Sequence, residues 1–436
     1  MKNWVTFFVF FLLPIIIFSQ SDLKISGELR VRTELDGRDF LNRTYPQSFT
    51  ALRARLGFEK KFNEHVSIFV QLQDSRVYGE EQNTLTSLKN IDLHQGYVSV
   101  KNIFDSPIYF TFGRFKLQYG KYKIFGPNDW HNVGRSHDGF IIGYNTDNYK
   151  TDLFLTTHNN FMSYRAGAAR VYDNYNYSEA PPDTGFNIFG FYSTNKFLNS
   201  LTGELYSYYE WDRKRPNGSD MQLQRYTVGT ALEFAPSPFP LSFRVEVAYQ
   251  GGKIYSSKLK DISAMMILAN LQFKPFDNLV LSLNADINSG CDPTKTDKYK
   301  LFDNPYSTKH NYQGFMDFFT GLSDPKFTTG IYGLNDYFFR TIYNFSKSFN
   351  AQLDLHYFTT FVTFVNSNNK EINEYGPEIN LVLRYKMYDA VEFEWGSGAF
   401  IAGDVMKELY SKIPKRAGIS TYDPAFWTYL QINFKF

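Results

Sequence analysis

The residues best suited to chemistry lie in one short stretch that contains Asp129, His131, His137 and Asp138. Carboxylates and imidazoles can act as acid–base pairs or as metal ligands. Their spacing matches no zinc-binding or hydrolase motif, and such residues are ordinary in a solvated loop. The sequence also contains no Gly-x-Ser-x-Gly and no phosphate loop of the Walker type. We therefore predict that the protein is not an enzyme and uses neither a metal nor another cofactor.

Arginines alternate with apolar residues along several segments of the chain. Arg53 and Arg55, for example, stand between Leu52, Ala54 and Leu56. Successive side chains of a strand point to opposite faces, and an arginine that faces lipid costs roughly 2–4 kcal/mol near the bilayer midplane. Such arginines are therefore predicted to face the lumen of a barrel. The alternation assigns eight to this face, namely Arg30, Arg32, Arg53, Arg55, Arg225, Arg244, Arg340 and Arg384.

The same alternation places acidic residues on the predicted lumen wall, among them Glu28, Glu246, Asp286 and Glu394. Arginines in a narrow pore guide anions, because low-dielectric walls concentrate their field. Acidic neighbours weaken that field, so the sequence predicts a weak preference for anions. The alternative interpretation is that Arg–Glu pairs simply brace the wall.

The composition narrows the class of protein. The 436-residue chain contains 44 Phe and 32 Tyr, while its 46 basic and 44 acidic residues nearly balance. This balance argues against nucleic-acid partners, and one apolar run, Trp4–Phe18, is too little for a multi-helix membrane protein. That run and its basic start predict a signal peptide, residues 1–19. Residues 20–436 are predicted to form a single all-β domain, a transmembrane antiparallel β-barrel.

Segments of alternating apolar and polar residues recur to the C-terminus, and about eighteen strands are predicted. They span residues 24–34, 50–62, 66–77, 90–101, 108–118, 138–144, 150–157, 185–194, 199–211, 221–234, 241–251, 262–273, 279–289, 335–345, 350–361, 376–386, 390–400 and 425–436. Short and long connections alternate, which is typical of short periplasmic turns and long extracellular loops. The even count places both termini in the periplasm. Two long connections, 119–137 and 290–334, are the predicted segments that narrow the lumen.

The C-terminal segment Tyr429–Phe436 alternates strictly and ends on Phe. Bacterial outer-membrane barrels end in such an aromatic strand, which the barrel-assembly machinery reads. We therefore predict the outer membrane of a Gram-negative-type bacterium, with outer-membrane lipid around the barrel and this machinery as a partner during biogenesis.

Residues 113–139 carry a motif in addition to the alternation. A strand ends on Gly113-Arg114, and Gly120, Trp130-x-Asn132 and Arg135-x-x-Asp138-Gly139 follow. This order resembles the alginate export family of outer-membrane proteins, as do Asp92–Val98 and Gly27–Arg32. The resemblance implies a monomeric barrel that conducts a polyanionic polysaccharide or other small solutes. It also implies that Arg114 and Arg135 lie near a constriction, for which the candidates are Trp130, Asn132, His137 and Asp138.

The sequence thus predicts an outer-membrane porin or export channel for passive passage of small or anionic solutes, including polyanionic polysaccharide. A surface-exposed barrel that acts as an adhesin, without open-channel transport, is the alternative. An energised receptor would need a globular plug before its first strand, whereas strand character begins directly after the predicted signal peptide. A soluble propeller is disfavoured because no blade-length repeat is present.

Overall fold

The computed structural model describes residues 23–41, 45–81, 90–159, 185–213, 222–256, 258–295, 297–319, 331–411 and 422–436. The predicted signal peptide lies outside these ranges. Within them, no helix is both long and apolar enough to cross a membrane.

Antiparallel strands make up most of the described chain, and nineteen strands form one sheet. Their bounds are β1 (Leu23–Gly37), β2 (Gln47–Lys61), β3 (Val66–Val77), β4 (Asp92–Lys101), β5 (Ile108–Phe115), β6 (His137–Asn145), β7 (Tyr149–Asn159), β8 (Phe186–Leu198), β9 (Leu201–Asp212), β10 (Leu223–Phe234), β11 (Leu241–Ser256), β12 (Lys258–Phe276), β13 (Leu279–Asn288), β14 (Lys298–Tyr299), β15 (Leu334–Asn344), β16 (Phe349–Val365), β17 (Glu371–Met387), β18 (Val391–Phe400) and β19 (Ala425–Lys435). A helix, α1 (Asp404–Ser411), precedes β19. Because β14 has only 2 residues, eighteen of the nineteen strands are long.

The sheet closes on itself. Arg30 of β1 pairs with Arg53 of β2 on one side and with Asn433 of β19 on the other, both antiparallel. The short β14 pairs parallel with β12. Closure is required in hydrocarbon, where each unpaired backbone group costs several kcal/mol. The predicted fold class, a closed antiparallel barrel of about eighteen strands, is confirmed.

Alternation sorts the side chains between the two faces of the barrel. On β1, Leu29 is 45% exposed while its neighbour Arg30 is 3% exposed. On β13, Leu283 is exposed and Ser282 is buried. A slip by one residue would turn the whole apolar face into the lumen, so the apolar pattern fixes the register.

Two predicted long connections are wrong. The predicted strands leave residues 252–261 and 362–375 as long connections, but β11 and β12 cover almost all of the first, and β16 and β17 leave only residues 366–370 of the second. Gly252 lies inside β11 with φ +121°, and a Cβ there would lie 2.0 Å from the backbone oxygen of Gln224 on β10. This glycine therefore permits a close approach of two strands and does not end one.

Two segments fold into the barrel. Residues 116–136, here called the β5–β6 segment, connect β5 to β6, and residues 300–319, here called the β14–β15 segment, follow β14. With α1 and the wall they bury two apolar clusters. One cluster includes Phe315, Phe358 and Trp427, and the other includes Phe125 and Tyr306. Apolar packing therefore occupies part of the lumen. The β14–β15 segment lies within the predicted connection 290–334, whereas the β5–β6 segment overlaps the predicted connection 119–137 but begins three residues earlier, because β5 ends at Phe115.

Candidate functional site

Arginines of β1 and β2 tie the β5–β6 segment to the wall. Arg30 and Arg53 donate to the backbone oxygen of Asp129 at 2.5 and 2.9 Å. Arg55 donates to the backbone oxygen of Val133 at 2.9 Å. A guanidinium presents its donors in a fixed fork, so arginines at alternate positions can hold one loop at several points. The predicted arginine stripe therefore lies buried beneath this segment.

Arg32, the fourth arginine of the stripe, contacts Trp130. Its Nη1 donates to the backbone oxygen of Trp130 at 2.8 Å, and its guanidinium carbon lies 4.0 Å from the ring centroid. Glu34 accepts from Arg32 Nε at 2.7 Å. Trp130 also stacks on His310 of the β14–β15 segment, with ring centroids 3.9 Å apart. Trp130 therefore connects the wall to both inward segments.

The Asp129 carboxylate lies between two cations. It accepts from Arg55 Nη1 at 2.8 Å and from Lys116 Nζ at 3.0 Å. Burial opposes its ionisation, but these two cations outweigh burial and lower the pKa of Asp129 to about 2. Burial and neighbouring arginines lower the pKa of His131. An ionised carboxylate held in this way anchors the segment and is not free for acid–base chemistry.

Asn132 bridges the β5–β6 segment to two strands. Its Nδ2 donates to the backbone oxygen of Leu52 at 3.2 Å and to that of Arg76 at 3.3 Å. Its Oδ1 accepts from Arg30 at 3.3 Å. Both ends of the carboxamide are therefore used to position the segment.

The β14–β15 segment is fixed from two parts of the wall. Arg225 forms salt bridges with Glu210 at 2.5 Å and with Asp303 of the segment at 3.0 Å. On another part of the wall, Glu378 of β17 accepts from the backbone N–H of Phe315 at 2.6 Å. Buried charges are tolerated when they are paired or hydrogen-bonded in this way.

Arg135 joins the two segments to each other. It donates to the backbone oxygens of Gly126 and Ser307 at 3.0 Å, to that of Pro305 at 2.9 Å, and to that of Tyr306. Burial lowers the pKa of Arg135 to about 10, which leaves it charged at neutral pH. Loss of this guanidinium would remove the hydrogen bonds that it donates to four backbone oxygens of the two segments.

Lys309 is a further cation of the β14–β15 segment. Burial lowers the pKa of Lys309 to about 8, and the nearby charges of Lys123 and Arg135 also lower it, while Asp303 raises it. The charge of Lys309 therefore changes in a pH range that recordings can cover.

A cavity of about 1050 Å³ lies between the β5–β6 segment, the turn 235–240 and the wall of β11–β17. We call it the short-turn cavity, because it opens beside the short connections. Arg244, Arg340 and Arg384 line it. A smaller cavity of about 400 Å³ is lined by Arg30 of β1 and Arg53 of β2.

The three arginines of the short-turn cavity are all salt-bridged. The pairs are Arg244 with Glu204 (2.7 Å), Arg340 with Asp354 (2.7 Å) and Arg384 with Glu394 (2.6 Å). Each pair places a carboxylate directly against a cation. The wall is therefore mixed in charge, and the bracing that the sequence left as an alternative is present at these positions.

Two predicted site residues face away from the lumen. Arg114 and Asp138 form a 2.7 Å salt bridge between β5 and β6. They lie on the same strand faces as Phe112 and Ile142, which are 58% and 47% exposed. The predictions that Arg114 lines the pore and that Asp138 narrows it are therefore wrong, because alternation turns both side chains outward.

The glycines of the same motif allow strands to approach closely. A Cβ on Gly113, whose φ is +130°, would lie 2.2 Å from the backbone oxygen of Gly96. A Cβ on Gly139 would lie 1.9 Å from the backbone oxygen of Leu155. The motif therefore shapes the barrel wall around the β5–β6 segment.

His137 is buried on the lumen side at the start of β6. Its Nδ1 lies 3.2 Å from His158 Nε2, and its ring packs edge-on against Phe125 of the β5–β6 segment. Because Asp138 faces outward and Asp129 is bound by cations, the structure does not bring the four candidates for acid–base chemistry together.

Sequence reasoning missed two contacts that hold the inward segments. Buried Lys123 of the β5–β6 segment forms a salt bridge with Asp286 of β13, and Glu378 binds the β14–β15 segment as described above. Alternation predicts that Asp286 faces the lumen, but it cannot indicate the partner of either carboxylate. Lys123 directly precedes the apolar residues Ile124 and Phe125, and this neighbourhood is the sequence signal for its burial.

Comparisons with known proteins agree with this architecture. A family model described as alginate export matches residues 21–419, whereas no curated protein matches the chain. Solved structures with a similar fold include OpdL of Pseudomonas aeruginosa, with 12% identity, a TM-score of 0.60 and coverage of 95% of this chain and 99% of that chain. OpdO of the same organism has 11% identity and a TM-score of 0.60, with coverage of 95% of this chain and 97% of that chain. OccAB4 of Acinetobacter baumannii has 11% identity and a TM-score of 0.57, with coverage of 95% of this chain and 99% of that chain.

The structural neighbours share the fold at low sequence identity. The family model is independent of these structures and matches nearly the whole chain. This match confirms the predicted resemblance of residues 113–139 to the family. The chain therefore belongs to the alginate export family and is an outer-membrane β-barrel channel.

Proposed function

We propose that the protein is a passive channel for small solutes with a weak preference for anions, and that polyanionic polysaccharide is among its candidate passengers. The observation that carries this proposal is a closed barrel whose lumen holds two anchored segments and arginine-lined cavities. A barrel of this size leaves room for an aqueous passage. The paired charges of its wall favour weak selectivity.

The proposed orientation has the short turns and both termini in the periplasm and the long loops outside. Short and long connections alternate from β1 to β11, which supports this orientation. We further propose that the channel is a monomer without catalytic activity, and that its C-terminal aromatic strand binds the barrel-assembly machinery. Residues 20–436 then form one domain after removal of residues 1–19.

We propose distinct roles for the predicted site residues. Arg30, Arg32, Arg53 and Arg55 hold the constriction in place, and the charges of Arg30 and Arg53 contribute to anion preference through the smaller cavity. Arg135 couples the two segments, Arg225 braces the β14–β15 segment, and Trp130, Asn132 and His137 shape the narrow region. The arginines along the larger cavity are Arg244, Arg340 and Arg384.

Planar-bilayer recording of the purified protein tests this function. We expect discrete ohmic current steps and, in a salt gradient, a reversal potential displaced modestly toward anions. Arg340→Gln with Arg384→Gln should move that potential toward cations while the steps persist. A barrel without current steps would support the adhesin alternative, and a clear cation preference of the wild type would contradict the proposed selectivity.

A further inference from the structure

We propose that the short-turn cavity binds neutral oligosaccharides, with carboxamides that contact sugar hydroxyls and aromatic rings that contact sugar faces. This inference rests on the proposed channel function, because the cavity must lie on the conduction path. Its volume of about 1050 Å³ slightly exceeds the usual range for ligand sites, roughly 300–1,000 Å³. A short chain of sugar rings is a ligand of suitable size.

Side-chain amides dominate the uncharged polar lining of this cavity. The lining amides are Asn270, Gln272, Asn284, Asn311 and Gln352. Asn270 Nδ2 donates to Asn284 Oδ1 at 2.7 Å across β12 and β13. Asn284 Nδ2 donates to Ser282 Oγ at 3.3 Å and to the backbone oxygen of Phe338 at 3.4 Å. A carboxamide has two donor hydrogens and an acceptor oxygen with two lone pairs, so Asn284 keeps one lone pair, while Asn270 keeps a donor hydrogen and its acceptor oxygen. A sugar hydroxyl both donates and accepts, which matches such a row.

Aromatic rings provide the apolar part of the lining. Tyr122, Tyr312 and Phe338 border the cavity, and Tyr122 and Tyr312 belong to the two inward segments. The Phe338 ring is held in place by stacking on His356, with centroids 4.5 Å apart. Flat apolar surfaces next to hydrogen-bonding groups suit sugar rings, which have weakly polar faces and polar edges.

The charges of the cavity do not favour an acidic sugar. Its three arginines are salt-bridged as described above, and Lys121 pairs with Glu233 at 3.2 Å. The cavity's Asp286 is bound by Lys123. Each of these cations lies beside a carboxylate, and the lining also contains one further cation, Lys274, and one further carboxylate, Asp277. The charges therefore balance closely, and the net field on a uronate is small. Hydrogen bonding therefore selects the ligand, and the chemical class is neutral oligosaccharide.

Current blockade in a planar bilayer tests the assignment directly. Maltohexaose is the neutral probe, and a hexagalacturonate of equal length is the charged control. We expect maltohexaose at millimolar concentration to interrupt the current, and hexagalacturonate to block no more strongly. Absence of maltohexaose blockade in a conducting protein, or at least tenfold stronger blockade by the uronate, would overturn this inference alone. Absence of any conductance would overturn the channel function and the inference with it.

Variants locate the binding site. Asn270→Ala with Asn284→Ala should shorten maltohexaose blockade roughly tenfold, since two neutral hydrogen bonds are lost. Gln272→Ala alone should have a smaller effect in the same direction. Asn195→Ala removes a carboxamide of β8 that lies outside this lining and should leave maltohexaose blockade unchanged. Heat-modifiable migration in gels confirms that each variant folds, and unchanged blockade in a folded, conducting double variant would place the sugar elsewhere and overturn the assignment.

Discussion

At the scale of single residues, the arginines of β1 and β2 show what alternation can and cannot predict. The pattern around Arg53 and Arg55 indicates the face on which they lie, because only one face tolerates charge in a membrane. It cannot indicate that Asp129 and Val133 are their partners, since these contacts join distant parts of the chain. Their role as anchors emerges only when the β5–β6 segment is placed inside the barrel.

The carboxylate of Asp129 gives the first prediction. Asp129→Asn removes the charge that Arg55 and Lys116 bind, and partial exposure limits the loss to about 1 kcal/mol. That corresponds to roughly a fivefold shift toward an undocked segment, visible as more frequent current fluctuations. Asp147→Asn, which changes an exposed carboxylate of the turn between β6 and β7, should leave the frequency of these fluctuations unchanged. Equal noise in both variants would contradict the anchoring role.

The lowered pKa of Asp129 also predicts the pH below which the β5–β6 segment is held less firmly. Because the pKa of Asp129 is lowered to about 2, its contribution to docking is complete above about pH 4 and is lost as the pH falls toward 2. Wild-type current noise should therefore rise between pH 4 and pH 2, and this rise should be smaller in Asp129→Asn. A noise level that is independent of pH in this range would argue against the ion pairs.

Lys309 predicts a change at alkaline pH. Its pKa of about 8 lies below the ordinary value, so the lumen loses a positive charge as the pH rises from 7 to 9. Anion preference, measured as reversal potential in a salt gradient, should fall over this range. The folded state releases this proton before the unfolded chain does, so stability should rise with pH between about 8 and 10. Lys309→Met should remove the change in reversal potential, and its persistence in that variant would exclude Lys309 as the source.

At the scale of elements, the strands were largely predictable and the inward segments were not. A period of two residues identifies a membrane strand without knowledge of its neighbours. The position of Arg114 has a local cause, because Phe110, Phe112 and Arg114 alternate onto the outer face, whereas the family motif does not indicate which face a residue occupies. The path of the β14–β15 segment depends on Arg225 and Glu378, whose contacts lie far away in sequence.

Coupling between the two segments can be tested at Arg135. Arg135→Ala removes hydrogen bonds from a charged donor, each worth about 1.5–3 kcal/mol, so the segments should separate more readily. Trypsin cleavage within the β5–β6 segment, which contains Lys121 and Lys123, should become at least tenfold faster. Arg114→Ala removes an arginine of the same motif from the outer face and should not change that rate. Equal cleavage in both variants would show that Arg135 does not couple the segments.

The close approach of β6 and β7 depends on Gly139. In Gly139→Ala the added methyl group would meet the backbone of Leu155, so the strands must shift at a cost of about 1–3 kcal/mol or more. We expect a large fall in the yield of heat-modifiable, folded barrel. Gly203→Ala is the matched control, because its methyl group would meet the exposed ring of Phe197, which can rotate away. A normal yield for Gly139→Ala would refute this explanation of the motif.

At the scale of the whole molecule, the sequence predicted a closed barrel because closure follows from strand periodicity and the cost of open edges in lipid. It predicted the lumen wall as mixed in charge, and the salt bridges of Arg244, Arg340 and Arg384 are consistent with that. It could not predict the width of the passage. That width depends on how two loops pack inside the barrel, and their contacts with each other carry no periodic signal.

The central claim is that solutes pass through a barrel narrowed by its own two segments. Single-channel conductance in the presence of polyethylene glycols of increasing size measures the effective radius of the narrowest region. For the wild type we predict discrete current steps whose conductance is reduced only by the smallest polymers, because only these enter the pore. In Arg135→Ala we predict that larger polymers also enter and reduce the conductance. Entry of large polymers into the wild type, as expected for an unobstructed barrel of this strand number, would contradict the account.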